Sequence, residues 1–374
     1  MTGTARLWNT RLFCGSTRLY LHPISAIFPV TNGPPIREVL IFTSPKAGSG
    51  GGQGLVAALA RAISSQNLNV EVTASVADLK RRTATTASAQ TSGDAQAYGD
   101  RPSETPRPRP DLVVAAGGDG TLSLVAHCTP PATLIAPMPI GTENLVAKHF
   151  GVTNDVGAMA ETILRGRDLA IDAGVANGKL FLVMVTCGFD AEVVRAVHLT
   201  RRGHINRFSY FWPTMRAIRR YRFPELTVEF SPPAESPDVR GMTTGGGVEP
   251  VANPVAETIA DESLQCRWAM VFNLPRYAAG LGIEPDAIGD DGVLNLCAMK
   301  NGSVAAGFRY LAGVLCKRHI RWPDVNRRHI VGCRVTARSP VAYQIDGDYA
   351  GKLPLEIGIL PGRVKLRLPR ADSA

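Results

Sequence analysis

Apolar and polar positions alternate in two different ways along the chain. From residue 38 to about 166, short apolar runs are separated by longer stretches whose apolar residues recur at helical spacing. Residues 38–42, 70–73, 113–116 and 133–137 read as buried strands, and 55–63 reads as a helix of small residues. Helices are expected after the third and fourth strands, and Asp155 can cap another that runs to Leu164 and stops near Gly166. Strands alternating with helices predict a parallel α/β sheet. From about Ile171 the pattern turns strand-rich. Residues 180–186, 226–230, 267–272, 294–299, 334–337, 342–345 and 364–368 read as strands, and only 207–220 and 303–316 look helical. This places an α/β domain at 38–170 and a β-rich domain at 171–370. Two stretches, 83–110 and 231–263, are too rich in Pro, Gly, Ser and Thr to bury a core and are expected to be disordered insertions.

Composition narrows this picture. Of 374 residues, 45% are hydrophobic and 20% charged, which suits a folded chain of two domains rather than a disordered one. The net charge of +9 favours anionic partners without choosing among nucleotides, acidic lipid surfaces and nucleic acid. Seven cysteines show no CxxC spacing, and no two histidines lie four or five residues apart, so reduced core thiols are expected and no helical His metal site. No apolar run reaches the roughly 18 residues of a membrane span. Residues 1–37 are basic and acid-free, expected to be a disordered extension, a targeting segment or the result of a start codon placed too early. Between Val193 and Pro224 stand eight arginines and no acid, interleaved with aromatics. Such a segment suits a membrane interface or single-stranded nucleic acid, or is a solvated helix face with aromatics in the core.

Candidate chemistry lies at the strand ends. The run 113–116 ends in Gly117-Gly118-Asp119-Gly120-Thr121, so glycine lets the backbone come close to a ligand and a helix start can offer N–H groups to phosphate. Asp119 would repel a bare phosphate there; it makes more sense facing a metal, a sugar hydroxyl or another donor. The first strand runs into Ser44-Pro45-Lys46-Ala47-Gly48-Ser49-Gly50, which lacks the Gly-Lys-Ser/Thr ending of a Walker A loop. The fourth runs into Pro139-Ile140-Gly141-Thr142-Glu143-Asn144. All three turns are expected at one end of one sheet, where ligands of such folds bind. Two later acidic turns, Gly289-Asp290-Asp291-Gly292 and Asp346-Gly347-Asp348, are either hairpin turns or the carboxylates that phosphoryl transfer requires.

Together with Gly188-Phe189-Asp190-Ala191, these motifs, in this order over residues 38–368, resemble the diacylglycerol kinase catalytic-domain family, which includes bacterial soluble lipid kinases and sphingosine kinases. The resemblance implies an α/β N-terminal domain with a parallel sheet, NAD kinase-like and diacylglycerol kinase-like, followed by a β-sandwich C-terminal domain. It implies ATP and Mg²⁺ as cofactors. Ser44, Gly48, Gly117, Gly118, Asp119, Gly120, Thr121, Gly141, Thr142 and Asn144 would form the nucleotide site. Asp290, Asp291 and Asp348 would belong to the metal network. Asp346 would be the general base that takes the proton of a lipid hydroxyl, as an ionised carboxylate at the surface of the cleft. The lipid would be met at a membrane surface by a cytoplasmic, peripheral protein, with 195–223 as the contact; no nucleic acid partner is expected, and a homodimer is left open. The chain departs from the family pattern at Ser44 (usually Asn), Leu124 (often Glu), Leu145 (frequently Asp) and Asp348 (usually Glu). Two competing readings follow: an NAD kinase-like phosphotransferase with a soluble acceptor, and a nucleotide-binding regulator without catalysis.

Overall fold

The computed structural model describes residues 35–44, 51–84, 108–200, 219, 221–231, 263–277 and 280–370. The extension expected at 1–37 and the insertions expected at 83–110 and 231–263 lie almost wholly outside the described residues, as does all of the 207–220 helix but Arg219.

The apolar runs become the strands of a parallel sheet, and all but the edge strand are buried on both faces. These are β1 (Glu38–Thr43), β2 (Asn69–Thr73), β3 (Leu112–Gly117) and β4 (Leu134–Pro139), in the spatial order β2-β1-β3-β4. Val113, Val114, Leu40 and Ile41 are wholly buried in it. Helices α1 (Gly51–Ser64), α2 (Val76–Thr83), α3 (Asp119–Cys128), α4 (Leu145–His149) and α5 (Val156–Arg165) connect or cover these strands. Asp155 caps α5 as its sequence predicts, its Oδ1 accepting from Ala158 N at 2.8 Å.

The second half is antiparallel. Its strands are β5 (Arg167–Ala176), β6 (Lys179–Phe181), β7 (Met184–Cys187), β8 (Leu226–Phe230), β9 (Ser263–Cys266), β10 (Trp268–Phe272), β11 (Leu294–Met299), β12 (Val325–Ile330), β13 (Gly332–Ala337), β14 (Ala342–Ile345), β15 (Asp348–Lys352) and β16 (Leu355–Leu368). Six of them form one sheet, β12-β11-β10-β7-β14-β15. The other sheet is not separate from the parallel one: β16 pairs parallel with β4 and antiparallel with β5 and β13, so a ten-stranded sheet runs through both halves. Val185, Val271, Leu296, Val335 and Ile357 fill the space between the sheets. The change of pattern near 170 thus falls inside β5.

Two sequence expectations need correcting. The apolar run 180–186 is not one strand but β6 and β7, broken at Leu182 and Val183, whose N–H groups are taken by a carboxylate instead of a neighbouring strand. A helix absent from the sequence reading, α6 (Phe189–Thr200), follows β7 directly. The helix expected at 303–316 is present as α7 (Val304–Leu315), capped by the Ser303 hydroxyl, which accepts from Ala306 N at 3.1 Å.

Candidate functional site

The glycine turns sit where the parallel strands stop. β1, β3 and β4 end in step, Thr43 beside Ala116 and Gly117 beside Pro139, so their carboxyl ends open on one edge of the sheet. Ser44 follows β1 at that edge, while Gly48 lies outside the described residues. At the end of β3, Gly118 is the N-cap of α3 and offers no side-chain cap to the first turn. An anion can take that place. Glycine is needed here for close packing: a Cβ on Gly141 would stand 2.5 Å from Gly118 Cα, and one on Gly117 would stand 2.1 Å from Thr121 Oγ1.

Asp119 turns towards the start of α4. Its carboxylate accepts from Leu145 N at 2.8 Å and Val146 N at 3.0 Å, at the start of α4. Asn144, in the left-handed region at φ 50°, closes the same turn: Gly141 N donates to its Oδ1 at 3.1 Å, and its Nδ2 donates to Gly141 O at 2.9 Å. These two side chains lock the two turns against each other and leave Thr142 exposed at the tip. Burial pushes the Asp119 carboxyl up, against the pull of the two N–H donors and of Lys148.

Across from this edge lies the turn between β14 and β15. Asp346 and Gly347 both have positive φ, 46° and 90°. The sequence expectation of a carboxylate free at the cleft surface is modified for Asp346, a half-buried residue whose carboxylate is taken up by hydrogen-bond donors. It accepts from Leu182 N at 2.9 Å, Val183 N at 3.0 Å, Met184 N at 2.9 Å and the Ser123 hydroxyl at 2.9 Å. The break between β6 and β7 leaves those N–H groups without strand partners, and a carboxylate satisfies them. Burial pushes the Asp346 carboxyl up to about 6; the N–H donors pull the other way, and the Asp119 charge adds to the rise. Asp348, two residues on, is exposed and faces the start of α3: a Cβ on Gly120 would stand 3.3 Å from its Oδ2. Among the described residues no hydrogen bond or ion pair engages that carboxylate.

The three carboxylates expected to belong to the metal network lie in two places. Asp290 and Asp291 belong to the turn before β11, close to Asp172, whose oxygens accept from Gly292 N and Gly362 N at 2.7 Å each. Burial pushes the Asp291 carboxyl up, as does the Asp172 charge. Asp290 exerts its field on His149 at the end of α4, whereas Asp348 stands at the start of α3. Among the described residues no three acidic, His or Cys side chains are disposed to hold a metal ion. Asp348 thus stands apart from the Asp290–Asp291 turn, and a magnesium ion held at either place would keep most of its ligands as water.

A buried network behind the turn was not assigned a role from sequence. Gln344 Oε1 accepts from Gly347 N at 2.7 Å, and Gln344 Nε2 donates to Thr186 Oγ1 at 3.0 Å and to Asp190 Oδ2 at 3.3 Å. Asp190, at the start of α6, also takes the hydroxyls of Thr186 and Tyr277. Burial pushes its carboxyl up against those three donors. The Gly188-Phe189-Asp190-Ala191 motif was the available signal; its partners Tyr277 and Gln344 are far away in the chain.

A glycine-turn edge facing an acidic hairpin is matched by two family profiles. The diacylglycerol kinase catalytic domain matches residues 38–176, and the YegS C-terminal NAD kinase beta sandwich-like domain matches residues 183–368. The chain belongs to the diacylglycerol kinase family. As a member of that family it is a kinase with an α/β nucleotide domain and a β-sandwich domain. It is 24% identical to a diacylglycerol kinase of Bacillus subtilis over 275 residues, 70% of this chain and 79% of that one. A Staphylococcus aureus diacylglycerol kinase is 22% identical over 250 residues, covering 65% of this chain and 70% of its own. The fold is shared with a crystal structure of a diacylglycerol kinase from Bacillus anthracis, at a TM-score of 0.57 and 16% identity, over 90% of this chain and 98% of that one. Among the described residues no helix is long and apolar enough to cross a membrane.

Proposed function

We propose that this kinase transfers the γ-phosphoryl group of ATP to a hydroxyl of a diacylglycerol-like or sphingoid lipid. The observation that supports the proposal is the meeting of Asp348 with the glycine turn at Gly120, a carboxylate that no hydrogen bond or ion pair engages among the described residues, beside the carboxyl ends of the parallel strands. The acceptor oxygen bonds to the γ-phosphorus, the bond from that phosphorus to the β–γ bridging oxygen breaks, and ADP leaves. The hydroxyl proton passes to a carboxylate of the 346–348 turn. A base must reach the hydroxyl, and Asp348 is the one that can; Asp346, with four donors on it, fixes the turn. Positioning and charge supply most of the rate in such transfers.

The test is incubation of the full chain with labelled ATP and, separately, dioleoylglycerol or sphingosine in detergent micelles and NAD. Label in a lipid phosphate is expected. Label in NAD alone points to the NAD kinase-like reading, and ATP binding with no labelled product points to an inactive regulator; both overturn the proposal. Asp348→Asn is expected to lower kcat by about 10²–10⁴-fold with an unchanged melting temperature. Wild-type turnover in that variant removes Asp348 as the base.

A further inference from the structure

Helix α7 is built like a helix that should be buried, yet one side of it meets solvent. Its inner face holds Ala306, Gly307, Tyr310, Gly313 and Val314 against the fold. Gly313 lies so close to the Trp322 ring that a Cβ there would come within 2.3 Å of it. The outer face carries Val304, Phe308 and Leu315, which are 40%, 38% and 62% exposed. These are three of the five large apolar side chains exposed among the described residues. A helix apolar all round normally has a cover on both sides. Only Arg309 is charged within α7, and Asp324 holds it through two bonds at 2.6 and 2.9 Å.

The surroundings of the stripe decide what covers it. From Lys300 to Trp322 the chain contains no acid, and Lys300, Lys317, Arg318 and Arg321 stand exposed at the two ends of the helix. An apolar stripe between basic ends is complementary to a bilayer with anionic headgroups: apolar side chains enter the headgroup boundary while lysine and arginine meet phosphate. A second copy of this chain would instead bring the same basic ends together. The described end of the arginine-rich stretch lies beside the start of this helix. A Cβ on Gly302, just before α7, would stand 2.7 Å from Phe223 Cβ, and Arg222 next to it is exposed. Behind the helix, the Tyr310, Trp268 and Phe189 rings follow one another at 5.8 and 4.8 Å, leading to the residue beside Asp190. The face is thus anchored to the wall that holds the acidic turn.

We propose that the outer face of α7 is a docking surface for an anionic lipid bilayer. The inference rests on the lipid-kinase reading for its purpose, though not for its geometry. The test uses the full chain in co-sedimentation with vesicles of phosphatidylcholine and phosphatidylserine, and of phosphatidylcholine alone. Wild type is expected to sediment with the mixed vesicles and little with the neutral ones. Phe308→Glu combined with Leu315→Glu should weaken that binding by roughly tenfold or more, and Lys317→Glu combined with Arg318→Glu should weaken it in proportion to the anionic lipid. All four positions are exposed, and unchanged melting temperatures would confirm that the variants fold. Wild-type vesicle binding in both double variants overturns the proposal, as does equal binding to both vesicle types. If wild type is a dimer and the Phe308/Leu315 variant a monomer with unaltered vesicle binding, the face belongs to a second copy and the proposal also falls. Phosphorylation in detergent micelles separates the two claims. A variant that turns over there normally and fails only on vesicles supports the surface, while a wild type that labels no lipid in micelles sinks the lipid-kinase reading and leaves the vesicle result standing.

Discussion

Asp119 and Asp346 stand in motifs that read as chemistry, and both spend their carboxylates on backbone N–H groups. Such a carboxylate cannot be replaced neutrally by asparagine, because the amide nitrogen would face donors. Asp346→Asn is therefore expected to lower stability by about 1–3 kcal/mol as well as activity, measured by chemical denaturation. The loss should depend on pH. An unfolded aspartate titrates near 3.9, whereas burial holds Asp346 at about 6. The folded state thus keeps a proton that the unfolded chain has already released. The stability tied to this group is fully present below pH about 4 and is lost as pH rises through about 6, a swing on the order of 3 kcal/mol. The gap between wild type and Asp346→Asn should be widest near pH 4 and narrow towards pH 7; a constant gap would contradict the enclosed carboxylate. The residue types at these positions could be read in the chain. Which way each side chain turned could not, because that depends on N–H groups 162–164 residues away in sequence for Asp346.

At the scale of elements, β1, β3 and β4 and their glycine turns were legible because each is a buried apolar run followed by a glycine-containing turn. The β6–β7 break was not, since Leu182 and Val183 are apolar and nothing local marks them as leaving the ladder. Helix α6 was hidden for a related reason: its start is a motif with functional connotations, and the arginine-rich stretch that follows it drew the helical reading downstream to 207–220. The hairpin β14–β15 depends on that missed helix. Gln344 is held by Asp190 of α6 and in turn holds Gly347 N. Asp190→Ala would remove the acceptor that Thr186, Tyr277 and Gln344 share and let the hairpin drift. The expected result is a fall in kcat of about 10–100-fold with the KM for ATP nearly unchanged, because the glycine turns do not touch this network. Equal losses in kcat and in ATP affinity would argue for general unfolding instead, and Asp190→Asn should recover part of the rate if position is what matters.

At the scale of the whole molecule, the change of pattern near residue 171 predicts two domains. The hydrogen bonds do not divide there. β16 runs for 14 residues beside β4 of the parallel sheet and beside β5 and β13. Sequence periodicity could not show this, since a strand looks the same whichever neighbour it joins. A fragment of residues 35–182 would end with β4 lacking β16, a bare central edge of the kind that pairs with other chains. That fragment is expected to be aggregation-prone, while the full chain unfolds in a single transition. Two separated transitions in calorimetry would contradict the shared strand.

The same strand limits how such a protein can change over time. A duplication or exchange that copied only the nucleotide-binding half would leave behind the last stretch of its sheet, which is encoded well downstream of that half. New acceptor specificities are therefore easier to reach by altering hairpins and helices on the sandwich than by trading one half for another.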